Sequence, residues 1–428
     1  MSLTAPPQTL DAWLARIEAC HPSEIELGLT RLAEVAARLP IDLERSSKII
    51  VAGTNGKGST VAMLESILRQ QGVSVGVYTS PHFLRYNERI TLNGMPVDDE
   101  CLCQAFAVIE QARGETPLTY FEYGTLAALL IFSQAQVDVA LLEVGLGGRL
   151  DAVNIVDADI AVVTTVALDH TDWLGSDRET IGFEKAGIFR TGKPALCGDV
   201  AAPDSVIRHA DSLAAPLYRN GVAYRFERGA GSWNWNGLDA QGNACSFNAL
   251  PLPTLPLSNA ALVMQVLQLL PFSVSESAVR QGFARACLAG RMQPVQIGAL
   301  AATLDVAHNP EAALYLADTL RREQCEGQLH FVLGMLADKD ISAVVEQLAP
   351  VVDRWYPVTL DVPRGATADT LVAVLAEAGV DAASIHVAGS VADAVAMLQA
   401  LDARDRVVIA GSFFTVAEAL ALISGAGN

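Results

Sequence analysis

Residues 51–60 read Val51-Ala52-Gly53-Thr54-Asn55-Gly56-Lys57-Gly58-Ser59-Thr60 and join an apolar segment, 49–52, to a helical segment that ends near Gly72. Glycines at positions 53, 56 and 58 allow a tight turn in which successive backbone N–H groups and the helix N-terminus point at an anion. Lys57 adds a positive charge at the same place. The segment predicts a phosphate-binding loop, with residues 53–60 as its contacts to a nucleoside triphosphate.

The loop departs from the Walker pattern G-x-x-x-x-G-K-[ST], because Gly58 stands where that pattern has a hydroxyl. Ser59 or Thr60 is then expected to supply the hydroxyl that binds magnesium. A glycine-rich turn between a strand and a helix can also be plain chain geometry. The lysine and the two hydroxyl residues beside three glycines favour phosphate binding.

Length and composition limit the classes of protein. A chain of 428 residues, 51% of them hydrophobic, exceeds one ordinary core, and we expect two domains with room for a small third subdomain. The net charge of −19, with no basic stripe, argues against nucleic acid as a partner. The sequence has no run of about eighteen apolar residues, no signal-peptide pattern and no C-x-x-C pair among its seven cysteines. We expect a cytoplasmic monomer with reduced thiols and no membrane partner.

The first predicted domain covers residues 1–289. Apolar strands at 49–52, 73–78, 137–144 and 160–166 alternate with helical segments, which predicts a doubly wound α/β fold. Two helices, 10–20 and 29–39, are predicted before it. After Lys193 the pattern changes to that of a small β excursion, with a hairpin signal at residues 233–237.

The second predicted domain, 290–428, is Rossmann-like but has no G-x-G-x-x-G fingerprint. Each of its predicted strands is followed by a helical segment; the strands are 301–306, 330–334, 354–360, 384–388 and 407–410.

Polar residues lie where the strands of the first domain end. In a doubly wound sheet, ligands bind beyond the carboxyl ends of the strands, and Ser80, Glu143 and His170 are expected there beside the phosphate loop. A hydroxyl, a carboxylate and an imidazole at one edge predict a magnesium site. Glu143 could instead be a paired strand-end acid, and His170 a loop histidine held by Asp169.

Ordered motifs along nearly the whole chain resemble those of the folylpolyglutamate synthase branch of the Mur ligase family. They are VAGTNGKGS (51–59), TSPH (79–82), FEYG (121–124), LEVGLGGRLD (142–151), LDHTDWLG (168–175), EKAGI (184–188), GRMQ (290–293) and DVAHNP (305–310). The resemblance implies ATP-dependent ligation of L-glutamate to 7,8-dihydropteroate and to reduced folates through an acyl phosphate. Use of folates alone stays open as an alternative. The resemblance also implies an ATP-binding first domain and a glutamate-ligase second domain.

The resemblance also implies site residues. One Mg²⁺ would use Ser59 and Glu143, and a second would use Ser80, Glu143, His170 and Lys185 as a carbamate. The implied catalytic residues are Lys57, Glu143, His170, Lys185 and His308, and the further ATP contacts, on the C-terminal side, are Asn259, Arg291 and Asp305. Without the resemblance, Lys185 would be interpreted as a surface lysine.

The implied pterin contacts lie in three segments of the first domain. They are Gly28, Leu29, Thr30 and Arg31; Phe121, Glu122, Tyr123 and Gly124; and Leu150 and Asp151. Aromatic rings suit a flat pterin, although Phe121 and Tyr123 could instead be ordinary core residues. The chain departs from the family pattern at Phe414, where close relatives have histidine, and at Val306, where many have glycine.

Two other classes compete with the folate-type ligase. A cell-wall Mur ligase usually has an extra N-terminal UDP-binding domain, and about fifty residues before the loop are too few for one. A P-loop phosphotransferase or switch would not account for a second α/β domain bearing Arg291, Asp305 and His308. The sequence therefore favours the folate-type ligase.

Overall fold

The computed structural model describes residues 7–21, 26–297, 300–323, 325–398, 401 and 404–424. These residues form two compact units, Met1–Ala286 and Cys287–Asn428. The division lies a few residues before the predicted boundary. Among the described helices, none combines the length and apolar character that a bilayer-spanning segment requires. All seven cysteines are free thiols.

The first unit is built on one large sheet. Its strands are β1 (Ser47–Ala52), β2 (Val75–Tyr78), β3 (Ile90–Leu92), β4 (Met95–Pro96), β5 (Val139–Glu143), β6 (Ile160–Val163), β7 (Ala195–Cys197) and β8 (Leu217–Arg219). Their order across the sheet is β4-β3-β2-β5-β1-β6-β7-β8. In this order the strands from β2 to β8 are parallel, and β3 and β4 form an antiparallel edge. The prediction of a doubly wound fold is confirmed.

Helices cover the sheet and bury their apolar faces against it. They are α1 (Leu10–Glu18), α2 (Thr30–Ala36), α3 (Lys57–Gln70), α4 (Asp99–Arg113), α5 (Tyr120–Ala135), α6 (Thr171–Leu174), α7 (Arg178–Ala186) and α8 (Asp204–Ser212). Short 3-10 helices cover Tyr86–Arg89 and Ala152–Ile155. The central strands are buried on both faces, which explains their continuous apolar sequences.

The small β excursion begins later than predicted, because β7 and β8, which α8 connects, are still strands of the main sheet. It is an antiparallel sheet of β9 (Arg225–Arg228), β10 (Ser232–Leu238) and β11 (Ala244–Pro251). The hairpin signal at residues 233–237 was misplaced: those residues lie inside β10. Trp233 and Trp235 alternate into the core at 1% and 0% exposure, a strand pattern. The turn follows at residues 239–243, where the Asp239 carboxylate accepts from the backbone N–H of Gln241 and Asn243.

Two further helices, α9 (Leu257–Leu267) and α10 (Glu276–Arg285), complete the first unit. Trp235 Nε1 donates to the carbonyl of Ala261 at 3.0 Å, which ties the small sheet to α9. Helix α10 packs on α3, where Ser66 Oγ donates to the carbonyl of Gly282 at 2.8 Å. The helix that follows the phosphate loop is thus supported by both later helices.

The strands of the second unit are β12 (Gln293–Ile297), β13 (Leu300–Asp305), β14 (Leu329–Leu333), β15 (Arg354–Pro357) and β16 (Arg406–Ala410). They form a five-stranded sheet in the order β12-β13-β16-β14-β15, in which β12 is antiparallel and the other strands are parallel. Its helices are α11 (Pro310–Arg322), α12 (Ile341–Leu348), α13 (Ala368–Glu377), α14 (Val391–Met397) and α15 (Phe413–Ser424), with a 3-10 helix at Ala382–Ser384.

One predicted strand of this unit, 384–388, is wrong. Only two isolated bridges form beside β15, Trp355 with Ile385 and Val358 with Ala388. The intervening residues 386 and 387 are exposed, so the segment touches the edge of the sheet without joining it.

Gly282 offers a test of the packing that supports α3. A Cβ atom at Gly282 would lie 2.4 Å from Ile67 Cγ1 and 2.5 Å from Ile67 Cα. Gly282→Ala should therefore lower the free energy of unfolding by about 1–3 kcal/mol, measured by urea denaturation. Gly231→Ala is the matched control, since no atom lies within 4 Å of a Cβ there. Equal stability of both variants would contradict this packing.

Candidate active site

The phosphate loop lies between β1 and α3 and is held by the residues that follow β6. Thr54 N donates to the carbonyl of Thr165 at 2.8 Å, and Asn55 N donates to Thr165 Oγ1 at 3.1 Å. Gly56 has a φ of 91° and is the N-cap of α3, a conformation that favours glycine. A Cβ atom on Gly56 would lie 2.6 Å from Asn259 Nδ2. Hydrogen bonds to Thr165 thus hold the loop, and Asn259 lies directly against it.

Lys57 places its charge over this loop. Its Nζ donates to the carbonyls of Gly53 at 2.9 Å and Thr54 at 3.2 Å. Ser59 and Thr60 are buried in the first turn of α3, at 2% and 0% exposure. Among the described residues the Thr60 hydroxyl finds no hydrogen-bond partner. An orphaned hydroxyl at a helix N-terminus beside a lysine fits an absent phosphate group.

The position of Asn259 differs from the one that the sequence predicts. The sequence groups Asn259 with Arg291 and Asp305 on the C-terminal side, but Asn259 lies in α9 of the first unit and is 6% exposed. The structure brings it together with the phosphate loop.

Glu143 ends β5 and is 6% exposed. The backbone N–H of Ser80, which follows β2, donates to Glu143 Oε2 at 3.3 Å. A buried carboxylate needs such partners or a cation. The structure brings Ser80 and Glu143 together, as the strand-end rule predicts.

His170 and Lys185 follow in the next two helices. His170 caps α6 with a φ of 51°, its side chain is half exposed, and its Nε2 lies 3.9 Å from Asp169 Oδ2. The loop-histidine interpretation, in which Asp169 holds His170, therefore describes a real contact. Lys185, in α7, is only 3% exposed. The interpretation of Lys185 as a surface lysine is wrong.

These residues fit a magnesium ion by their chemistry. Within the described part of the chain, no three His, Cys, Asp or Glu side chains cluster as metal ligands. An ion held by Glu143 would therefore take its other ligands from hydroxyl groups, His170, Lys185 as a carbamate, water or nucleotide phosphate. Such an oxygen-rich, partly solvated set is what Mg²⁺ prefers.

Two of the predicted pterin segments meet through an ion pair. Arg31 NH2 donates to both carboxylate oxygens of Glu122, at 2.7 and 2.9 Å, and Glu122 is 3% exposed. Of the neighbouring residues, Thr30 is exposed, and Gly28 and Leu29 are half-buried. The pair joins the start of α2 to the start of α5.

The aromatic residues of FEYG differ in their placement. Tyr123 is 1% exposed, and its hydroxyl donates to Glu110 inside the unit, which supports its interpretation as a core residue. Phe121 is half-buried, and its ring tip would lie 2.8 Å from a Cβ on Gly145. A Cβ on Gly124 would meet the Tyr86 hydroxyl at 2.7 Å. Phe121 is therefore the ring of this motif that borders the loop after β5.

Asp151 closes that loop and is 4% exposed. Its carboxylate accepts from Leu146 N at 2.9 Å and from Val153 N at 3.0 Å. Burial raises the pKa of Asp151 to about 6, against these backbone hydrogen bonds and the charge of Lys57. Leu150 beside Asp151 is half-buried.

The second unit gathers Arg291, Asp305 and His308 at the carboxyl end of β13. The Asp305 carboxylate accepts from the backbone N–H of Met292 and of Ala307, each at 2.9 Å. Burial raises the pKa of Asp305, and the Arg291 charge opposes the rise. His308 Nδ1 lies 2.8 Å from the carbonyl oxygen of Val306.

Sequence reasoning missed Phe413 in this cluster. The Arg291 guanidinium lies 5.3 Å from the centre of the Phe413 ring, and the His308 ring centre lies 6.4 Å from it. Phe413 directly follows the Gly411-Ser412 turn after β16, so the strand-end rule could have found it. Phe414, the departure from the family pattern, is 42% exposed.

Comparison with known proteins agrees with this two-unit arrangement. Residues 51–249 match the Mur ligase middle domain, and residues 290–413 match the Mur ligase glutamate ligase domain. The dihydrofolate synthase/folylpolyglutamate synthase of Escherichia coli K12 is 47% identical over 414 residues, which cover 97% of this chain and 95% of that protein. The corresponding protein of Haemophilus influenzae is 42% identical, covering 97% of each.

Solved structures show the same likeness. E. coli FolC in complex with DHPP and ADP superposes with a TM-score of 0.92 at 45% identity, covering 99% of this chain and 100% of that chain. The fold and its phosphate loop define a ligase of the Mur type. The chain belongs to the Mur ligase family, in the group of dihydrofolate synthase/folylpolyglutamate synthases.

Glu143→Gln tests the predicted metal ligand. It keeps the shape of the side chain but removes its charge, so we expect turnover to fall at least about 100-fold and the thermal midpoint to change little. Glu44→Gln, at an exposed acid, is the control for charge removal. Near-normal turnover at saturating Mg²⁺ would exclude a metal role for Glu143.

Asp151 predicts a pH dependence of stability. Its pKa is raised from 3.8 to about 6 on folding. Below the unfolded-state pKa of 3.8, Asp151 is protonated in the folded and the unfolded protein alike. As pH rises from there through the folded-state pKa of about 6, the unfolded protein ionises first and the folded protein must then bear a buried charge. The free energy of unfolding therefore decreases over this range by up to about 3 kcal/mol.

Asp151→Asn removes this charge. Its free energy of unfolding, relative to the parent, should therefore increase from about pH 4 to about pH 7 in urea titrations. Glu44→Gln should show no such trend, and a difference independent of pH for Asp151→Asn would contradict the raised pKa.

Proposed function

We propose that the protein ligates L-glutamate to 7,8-dihydropteroate, giving dihydrofolate, and to reduced folates, giving folylpolyglutamates, with ATP converted to ADP and phosphate. The observation that carries this proposal is the pairing of β1 with β5. The phosphate loop follows β1, and residues 145–151, which include the predicted pterin contact Asp151, follow β5, so ATP and the pterin would bind at the same edge of one sheet. The names of the relatives supply the identity of the substrates.

The first step activates a carboxylate. A pteroate or folate carboxylate oxygen attacks the γ-phosphorus of ATP, the bond from γ-phosphorus to the bridging oxygen breaks, and ADP leaves. Negative charge develops on the phosphoryl oxygens, and the N–H groups at the start of α3 with the Lys57 ammonium stabilise it from fixed positions. The product is an acyl phosphate, a far better electrophile than the carboxylate.

The second step forms the amide. The amine of glutamate attacks the acyl carbon, and the tetrahedral intermediate expels phosphate while the amine loses its proton. We assign Asn259, Arg291 and Asp305 to the nucleotide and His308 to the region of the reacting groups. Residues 1–289 then serve as the ATP- and pterin-binding domain and residues 290–428 as the glutamate-ligase domain.

Mg²⁺ belongs to this proposal as a cofactor. A bifunctional folylpolyglutamate synthase/dihydrofolate synthase with Mn, AMPPNP and L-glutamate bound superposes with a TM-score of 0.89 at 45% identity. In this chain Ser59, Ser80, Glu143, His170 and Lys185 would hold the ions, with Lys185 as a carbamate. Bound Mg²⁺ would neutralise phosphate charge as the phosphoryl group transfers.

We place the protein in the cytoplasm, because reduced cysteines belong to that compartment and all seven are free thiols. A cell-wall ligase is less consistent with the chain, since the relatives that match 97% of its length are folate enzymes by name.

A parallel endpoint assay tests the function. The protein is incubated with ATP, Mg²⁺ and L-glutamate together with 7,8-dihydropteroate, a reduced folate or a UDP-muramyl peptide, and products are identified by mass spectrometry. We expect one added glutamate on dihydropteroate and one or more on the folate, and none on the peptide. Extension of the folate alone would reduce the protein to a folylpolyglutamate synthase, and reaction with neither pterin would refute the proposal.

A further inference from the structure

The loop 145–151, which follows β5, lies against α6, whose N-cap is His170, and against α7, which contains Lys185. A Cβ atom on Gly147 would lie 2.9 Å from Leu174 Cδ2 in α6. A Cβ atom on Gly148 would lie 2.9 Å from the carbonyl oxygens of both Glu184 and Lys185 in α7. Loop and helix backbones are therefore in direct contact around Lys185.

Arg149 makes the side-chain contacts of this loop with α7. Its Nε and NH2 donate to Glu184 Oε1 at 3.1 and 2.8 Å, and its backbone N–H donates to the Glu184 carbonyl at 2.8 Å. Its guanidinium lies 5.8 Å from the centre of the Phe183 ring. A Cβ atom on Gly187 would lie 2.3 Å from Arg149 Cβ. Arg149 thus spans residues 183–187, the last turn of α7 and its C-cap.

Lys185 lies in the middle of that turn and is 3% exposed. An amine in such a place is unfavourable unless the surrounding structure holds it there. Asp151, the predicted pterin contact, lies two residues beyond Arg149 in the same loop. Arg149 therefore connects the helical turn of Lys185 to the loop of Asp151.

We propose that Arg149 is a positioning residue for the ligation reaction. It clamps the last turn of α7 to loop 145–151 and thereby fixes Lys185 relative to Asp151. The inference rests on the proposed function for its effect on turnover, but the clamp itself is a property of the chain.

The clamp predicts an effect on activity larger than its effect on stability. The Arg149 side chain is 43% exposed, and ion pairs of that exposure contribute little to the free energy of unfolding. A small displacement of groups near the reacting atoms, in contrast, slows a reaction strongly. Lysine cannot replace arginine fully here, because it lacks the planar fork that makes two contacts.

Arg149→Gln is the test, and Arg208→Gln is its matched control. Arg208, in α8, forms an exposed ion pair with Glu179, which lies 3.4 Å away in the first turn of α7. We expect Arg149→Gln to lower kcat at least about tenfold with little change in the KM for ATP. The kcat of Arg149→Lys should lie between those of Arg149→Gln and the parent protein. Arg208→Gln should leave kcat and KM unchanged.

A second readout does not depend on turnover. The native proteins are treated in CO₂-free, Mg²⁺-free buffer, where Lys185 is the free amine, with an N-hydroxysuccinimide acetate reagent. Acetylation of Lys185 is measured by peptide mass spectrometry relative to Lys193, whose side chain is 52% exposed. Arg149→Gln should raise the relative rate at Lys185 at least about fivefold, because the turn opens more often. Arg208→Gln should not. If Arg149→Gln does not fold, Arg149→Lys serves in both measurements.

Unchanged acetylation of Lys185 in the Arg149 variants would overturn the clamp, and increased acetylation with unchanged kcat would overturn its role in the reaction. If the parent protein ligates no glutamate at all, the proposed function fails while the acetylation result still decides the clamp.

Discussion

The pairing of β1 with β5 and β6 is the constraint on which the site depends. Val51 pairs with Glu143 and Ala52 with Val163, so three chain segments leave the sheet at the same edge. The phosphate loop, the Glu143 carboxylate and Thr165, which holds the loop, lie at that edge because of this register. Because side chains alternate across a strand, a shift of one residue would turn Glu143 to the opposite face and separate it from the loop. The buried apolar strands hold the register and thereby the chemistry.

Charge at this edge is concentrated and largely buried. Glu143, Asp151 and Lys185 are each under 10% exposed, in a chain whose net charge is −19. An acidic protein repels anions at long range, so binding of phosphate and carboxylate groups must rely on local cations and N–H groups. The loop glycines, Lys57 and the orphaned Thr60 hydroxyl provide that local field. Burial makes the field stronger by excluding water, and it also makes every group sensitive to the position of its neighbours.

Much of the fold could be predicted because its strands are continuous apolar segments bounded by glycine and polar residues. The misplaced elements have specific causes. At residues 233–237 the Trp-Asn alternation resembled turn chemistry, but burial of the two indoles makes it a strand. At residues 384–388 an apolar pattern meets the sheet edge at only two bridges. Short strands such as β3 and β7 were missed because three residues carry little periodicity.

The sequence by itself determined the class of chemistry. A glycine-rich loop with a lysine can bind phosphate, and a polar residue after an apolar strand lies at the carboxyl edge, because both follow from local backbone geometry. Only the tertiary structure decided which distant residues meet. It placed Asn259 on the phosphate loop, buried Lys185, moved Tyr123 into the core and set Arg149 across the last turn of α7. Those outcomes depend on close packing between segments far apart in the chain, which no local pattern encodes.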